Sequence, residues 1–137
     1  MKVYQDEFSV STSRRVQVID ITDRVERVVK KSGLEDGICQ IFVPHATAGL
    51  VLEEAESGLI RDIENKIESM FPKGAGYEHD RIDDNANSHL ASGFIGQSRI
   101  LPIKDGRIVR GTWQRPMLLE FDGPRSSRRV FITVIGE

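Results

Sequence analysis

Apolar residues alternate loosely along residues 2–10, where Val3, Phe8 and Val10 stand out, and more clearly along VQVIDI at residues 16–21. A period of two is that of a strand with one buried face, so both segments read as strands joined by a Ser/Thr/Arg turn. The period then changes. Thr22 reads as the cap of a helix with Val25, Val28 and Val29 at helical spacing, Asp23, Arg24 and Glu26 fall on the other face, and Gly33 marks the stop. Residues 37–43 form an apolar strand that delivers Pro44 and His45, and the small residues of ATAGL after it allow close approach of a ligand or another chain. Leu59, Ile60, Ile63, Ile67 and Met70 predict a helix over residues 58–71, ended by Pro72, Gly74 and Gly76. Residues 100–103, 107–111, 117–121 and 129–135 predict four strands separated by KDG and DGPR turns. The expected fold is therefore α+β: a strand pair, helices in the middle and a closing antiparallel meander, packed as two sheets with helices to one side.

One stretch breaks the apolar pattern. YEHDRIDDNANSHL, residues 77–90, contains two of the three histidines, His79 and His89, with Asp80, Asp83 and Asp84. So polar a segment reads as a loop leading into a short helix, with Asp84 as N-cap and residues 85–91 as one or two turns that point His89 inward. His45 lies far upstream, yet it too falls at an element end.

Composition narrows the function classes. The 137 residues suit one domain, residues 1–137, able to bury roughly two-thirds of its unfolded surface. A net charge of −2 supplies no general positive field for nucleic acid. Arginines crowd the last 40 or so residues, as a local anion site or as the solvated face of a sheet. No run approaches the roughly 18 apolar residues of a membrane span, and no signal-peptide core opens the chain, so the expected location is cytoplasmic. Cys39 in GICQIFV is a small buried hydrophobe, not a reactive thiol.

Imidazole and carboxylate are the common ligands of zinc, and His45, His79 and His89 with Glu54, Asp80, Asp83 and Asp84 satisfy that inventory. No HExxH or CxxC spacing is present. The same residues also suit a metal-free acid–base set, in which Glu54 or Asp84 orients His79 or His89. A second constellation is GTWQ at residues 111–114, followed by DGPR. Trp113 can stack on a ring and Gln114 can hydrogen-bond its edge, while Arg125 suits bidentate phosphate recognition; the alternative is a packed Trp and a surface arginine. Thr47, beside His45, completes the substrate-binding set.

SRILPIKDGRIVRGTWQ at residues 98–114 resembles the signature of the YjbQ-like family of secondary thiamine-phosphate synthase enzymes. PHATAGL with Glu54, then His79, Asn85, Ala86, His89 and Leu90, and finally EFDGPRSSRRVFITVIGE are similar to its other segments. Ala46 and Glu53 depart from the usual Thr and Asn. The resemblance implies a homotrimer of β-sandwich-like subunits with clefts near the subunit boundaries. It also implies a secondary activity that joins hydroxymethylpyrimidine diphosphate to a thiazole phosphate and releases pyrophosphate. The expected cofactor is a divalent metal, zinc on the three histidines or magnesium with the diphosphate, and the expected partners include neither nucleic acid nor membrane. The other reading is a trimeric metal- or small-ligand-binding protein without significant catalysis.

Overall fold

The computed structural model describes all 137 residues. Their order is β1 (Lys2–Val10), β2 (Gln17–Asp20), α1 (Thr22–Ser32), β3 (Gly37–Phe42), β4 (Ala48–Glu53), α2 (Ser57–Met70), α3 (Ala86–Ile95), β5 (Ser98–Lys104), β6 (Arg107–Ile108), β7 (Arg115–Glu120) and β8 (Arg128–Gly136). A 3₁₀ turn, Glu78–Arg81, comes before α3. A five-stranded sheet has the order β1-β8-β3-β5-β6, and a three-stranded sheet the order β2-β7-β4. Every pairing is antiparallel.

The expected α+β class and the two sheets are present, but the closing meander is not. Only β5 and β6 form a local hairpin. β7 crosses to the centre of the small sheet, and β8 inserts between β1 and β3. The reason lies in RPMLLE: Pro116 to Glu120 are buried without alternation, so this strand needs cover on both faces. Only the middle of a middle layer offers that.

Two cores result. Cys39, Ile41, Leu101, Val130, Ile132 and Val134 line the inner face of the large sheet and meet Leu50 and Leu118 of the small one. Val25, Val28 and Val29 of α1 belong to this same core. On the far side of the small sheet, Val18, Met117, Leu119 and Phe121 pack with Ile67 of α2 and Ala91 of α3. Fully burying each Val, Leu or Ile side chain contributes about 1.5–3 kcal/mol. The helices therefore do not all lie to one side: α2 and α3 cover the small sheet, and α1 packs against the core between the sheets.

Element ends follow local chemistry. Gly33 takes φ 70° and closes α1 as expected. Thr22 is the first helical residue and not the cap; Asp20 Oδ1 accepts from its N–H at 3.0 Å and its hydroxyl at 2.6 Å. The Glu56 carboxylate caps α2, accepting from the N–H groups of Gly58 and Leu59. Buried Glu64 then ties α2 to β2, accepting both Arg14 Nη groups at 3.1 and 3.0 Å and the Val18 N–H at 3.0 Å. AGL of the small-residue segment opens β4. Its close approach is to the chain's own backbone, since a Cβ on Gly49 would lie 2.9 Å from the Gly96 carbonyl oxygen.

Candidate functional site

α3 is fixed to the small sheet by its hydroxyls. Ser88 Oγ donates to the Phe121 carbonyl and Ser92 Oγ to the Ala48 carbonyl, both at 2.6 Å, while Ala91 is buried between them. The opposite side of the helix, with His89 and Leu90, is left toward solvent. The helix begins at Asn85, whose Nδ2 donates to Asp122 Oδ2 at 3.0 Å. Its first N–H, on Ala86, donates to Asp80 Oδ1 at 3.1 Å. Asp84 is thus not the cap expected from sequence; it is exposed, and Asp80 performs that task from the preceding turn.

That turn carries His79 against His89. The rings meet edge to face, with centroids 4.8 Å apart and planes at 69°. They open on a cavity of 400 Å³ lined also by Tyr77, Glu78, Ala86 and Leu90. The one histidine side chain hydrogen-bonded within the chain is His45, so both imidazoles here keep their nitrogens free. Close by, Asn85 Oδ1 is a buried acceptor without a partner.

His45 serves a different surrounding. Its Nε2 accepts the Arg129 N–H at 2.8 Å, which requires that nitrogen to be unprotonated. Burial, and then the positive charges of Arg128 and Arg129, hold its pKa below the ordinary histidine value. Beneath it, Arg128 and Glu120 form a buried ion pair that also engages Thr47 and Thr12. Arg128 Nη2 donates to Thr47 Oγ1 at 2.8 Å and to its carbonyl at 3.1 Å. Thr12 Oγ1 and the Asp122 N–H donate to Glu120 at 2.7 and 3.0 Å. Thr47, expected to touch substrate, is buried here, with its oxygens given to Arg128. No three His, Cys, Asp or Glu side chains of one chain are gathered as a metal-ligand set. His79 and His89 come together; His45 does not complete a triad with them.

The remaining candidates divide. Arg125 folds onto its own turn, with Nε donating to the Asp122 carbonyl and Nη2 to the Asp122 carboxylate, both at 2.9 Å. In the chain alone its charge is matched by Asp122, and the side chain staples its own turn. Gln114 likewise braces a turn: its Oε1 accepts the Gly111 N–H at 2.7 Å and its N–H returns to the Gly111 carbonyl at 3.1 Å. This turn holds Trp113, 69% exposed, and it precedes β7. α3 bonds to Phe121, just past the other end of β7. The strand is six residues long, roughly 17 Å at the usual rise. Glu54 leaves β4 beside Arg115, at the Trp113 end. Within one chain, Trp113, Gln114 and Glu54 thus lie at one end of the small sheet, and the histidines lie toward the other.

Sequence reading missed Arg128 and Glu120. For Glu120 the signal was available: it is a charged residue between apolar Leu119 and Phe121, and such a charge persists only when paired; Arg128, between Ser127 and Arg129, carried no such mark.

The family described as UPF0047 protein YjbQ-like matches residues 6–137. A UPF0047 protein of Archaeoglobus fulgidus is 45% identical over 94% of this chain and 99% of its own length. YugU of Bacillus subtilis, also a UPF0047 protein, is 32% identical over 93% of this chain and 96% of its own. The crystal structure of a YbjQ-like protein of unknown function from Sulfolobus solfataricus superposes with a TM-score of 0.98 at 48% identity, covering 99% of both chains. Sequence and fold agree, and this chain belongs to the YjbQ-like UPF0047 family.

Proposed function

We propose that the chain is a cytoplasmic, homotrimeric transferase of the secondary thiamine-phosphate synthase type, working at the His79–His89 pocket on a small phosphorylated heterocycle. The observation that carries this reading is the pair of facing imidazoles, unbonded within the chain, on an open 400 Å³ cavity with Tyr77 and Leu90 in its walls. An apolar cavity with a few convergent polar groups suits a planar ring bearing a charged tail. As the carbon–oxygen bond breaks and the thiazole nitrogen takes its place on carbon, a protonated imidazole can donate to the departing pyrophosphate oxygen. The same two nitrogens can supply two protein ligands to zinc, whose remaining positions a diphosphate oxygen or water would take. Zinc bound there would stabilise the departing pyrophosphate. Magnesium, which prefers oxygen, would instead arrive on the diphosphate itself.

A specific observation favours the second reading, a trimeric metal- or small-ligand-binding protein. Neither Glu54 nor Asp84 orients an imidazole within the chain, so no acid–base relay is assembled there. The experiment is turnover of hydroxymethylpyrimidine diphosphate with thiazole phosphate, with zinc or magnesium, alongside calorimetric titration of each component. Turnover that disappears in both His79→Ala and His89→Ala supports the enzyme. Binding without turnover supports the second reading, and a wild type that binds neither metal nor heterocycle defeats both.

A further inference from the structure

We infer that Asp122 is a positioning residue of the His79–His89 pocket: its carboxylate, presented by a rigid turn, holds the amide of Asn85 and so fixes the end of α3 from which both imidazoles are aimed. This rests on the pocket of the proposed function and names the group that keeps its geometry.

The turn after β7, residues 122–125, is a firm support. The Asp122 N–H donates to buried Glu120 at 3.0 Å, the Gly123 N–H to the Arg15 carbonyl at 3.0 Å and the Arg125 N–H to Thr12 Oγ1 at 2.8 Å. Pro124 has no N–H to give, so every backbone donor of the turn is used. The Thr12 N–H returns to the Arg125 carbonyl at 2.8 Å. Arg125 then closes the turn on Asp122, donating from Nε to the carbonyl and from Nη2 to Oδ2. A carboxylate held in this way is already oriented before it meets the pocket.

From that support Asp122 Oδ2 accepts Asn85 Nδ2 at 3.0 Å, which is the one side-chain hydrogen bond that Asn85 makes. Asn85 stands at the start of α3, and its carbonyl accepts the N–H groups of Ser88 and His89 at 3.0 and 3.2 Å. His89 is therefore one residue removed from Asp122. His79 is reached by a second arm: Asp80, next to it in the 3₁₀ turn, accepts the N–H of Ala86 at 3.1 Å. The two imidazoles are thus referred to the same helix start.

Nothing else in the chain does this work for residues 77–85. Their other hydrogen bonds stay within the segment or run to the first residues of α3, and none of their side chains joins an ion pair. Packing does not hold them either, since Glu78, His79 and residues 81–84 are exposed. Ser88 and Ser92 choose the face that α3 turns to the sheet. The bond from Asn85 to Asp122 fixes where the helix begins. A displacement of about 1 Å there is enough to spoil a reacting geometry.

The test reads the pocket in the full chain. Asp122 Oδ1 has no partner in the chain, so an asparagine at this position can put its amide nitrogen there and keep both bonds on its oxygen, whereas alanine loses both. The probe is the nuclear Overhauser cross-peak between the ring protons of His79 and His89, whose centroids lie 4.8 Å apart, in histidine-labelled protein; three histidines make the assignment short. The cross-peak should be strong in the wild type, several-fold weaker in Asp122→Ala and retained in Asp122→Asn. A merely structural role would lower Tm in Asp122→Ala and leave the cross-peak of the folded protein as it was. Asn85→Ala, which leaves the Asp122–Arg125 turn intact, should show the same weakening and serves if Asp122→Ala does not fold. A wild type without the cross-peak, a folded Asp122→Ala or Asn85→Ala that keeps it, or an equal loss in Asp122→Asn overturns the inference. No substrate enters this readout, so a pocket that turns nothing over leaves the role of Asp122 standing, and failure here leaves the pocket to be judged by turnover.

Discussion

Arg128 and Glu120, 3% and 0% exposed, face each other across the two sheets, so that one ion pair joins β8 of the large sheet to β7 of the small. Thr12, Thr47 and the Asp122 N–H satisfy the remaining hydrogen-bonding capacity around it. Removing one partner strands a buried charge, which costs about 3–5 kcal/mol. Arg128→Met should lower the stability read by urea unfolding by that amount. The double variant Arg128→Met with Glu120→Leu should recover part of it, because both charges are then gone.

His45 should make stability depend on pH. Its folded pKa is depressed by burial and by Arg128 and Arg129, so between the folded and unfolded values the unfolded chain binds more protons. Its contribution is fully present above the unfolded value of about 6.5 and is lost as pH falls through the folded value. Urea midpoints measured across that window should fall toward acid more steeply in the wild type than in His45→Gln. Equal slopes would remove His45 from the account.

Gly123 is a position where nothing larger fits. A Cβ there would lie 2.1 Å from the Arg14 carbonyl oxygen and 2.9 Å from Glu120 Cγ. Overpacking of this kind costs about 1–3 kcal/mol. Gly123→Ala should therefore lower Tm, whereas Gly74→Ala, where no atom lies within 4 Å, keeps the space and meets only the strain of a φ of 70°. Calorimetry of the two variants should rank Gly123→Ala as the more damaging.

Cys39 is fully buried in β3, and desolvation pushes its thiol up to about 12. At neutral pH it should react with a thiol reagent only as fast as the chain unfolds. A labelling rate in native buffer that matches a free thiol would contradict this burial.

The outer face of the large sheet should be covered in the proposed trimer. Ile38, Phe42 and Ile100 are exposed there, Phe42 stands opposite Phe131, and Ile38 is flanked by Ile135 and Pro102. Interrupted only by Gln40, Thr133 and Ser98, so many exposed apolar side chains on one face mark an interaction surface. Sedimentation equilibrium should give a trimer for the wild type and smaller species for Phe42→Lys combined with Ile100→Lys. A wild type that stays monomeric at micromolar concentration would end the trimer reading.

Local period and local stops were legible in the sequence. β1, the end of α1 at Gly33 and the apolar side of α2 follow from residues a few positions apart, because one hydrogen-bonded element decides them. His79 and His89 were also legible as a pair of candidates, since no apolar run surrounds either. Their edge-to-face contact was not, because it depends on Ser88 and Ser92 turning α3 onto the small sheet and on Asp80, not Asp84, capping it. Nor was the route of β7, whose unbroken apolar run signalled burial on both faces without naming the strands beside it. Pairing between distant strands depends on how the whole chain fills its two cores, and no window of neighbouring residues contains that information. The same tertiary choice placed Trp113 at one end of a six-residue strand and the histidines toward the other. Residue types alone left Trp113 and the histidines free to meet; the length of β7 keeps them apart within a chain.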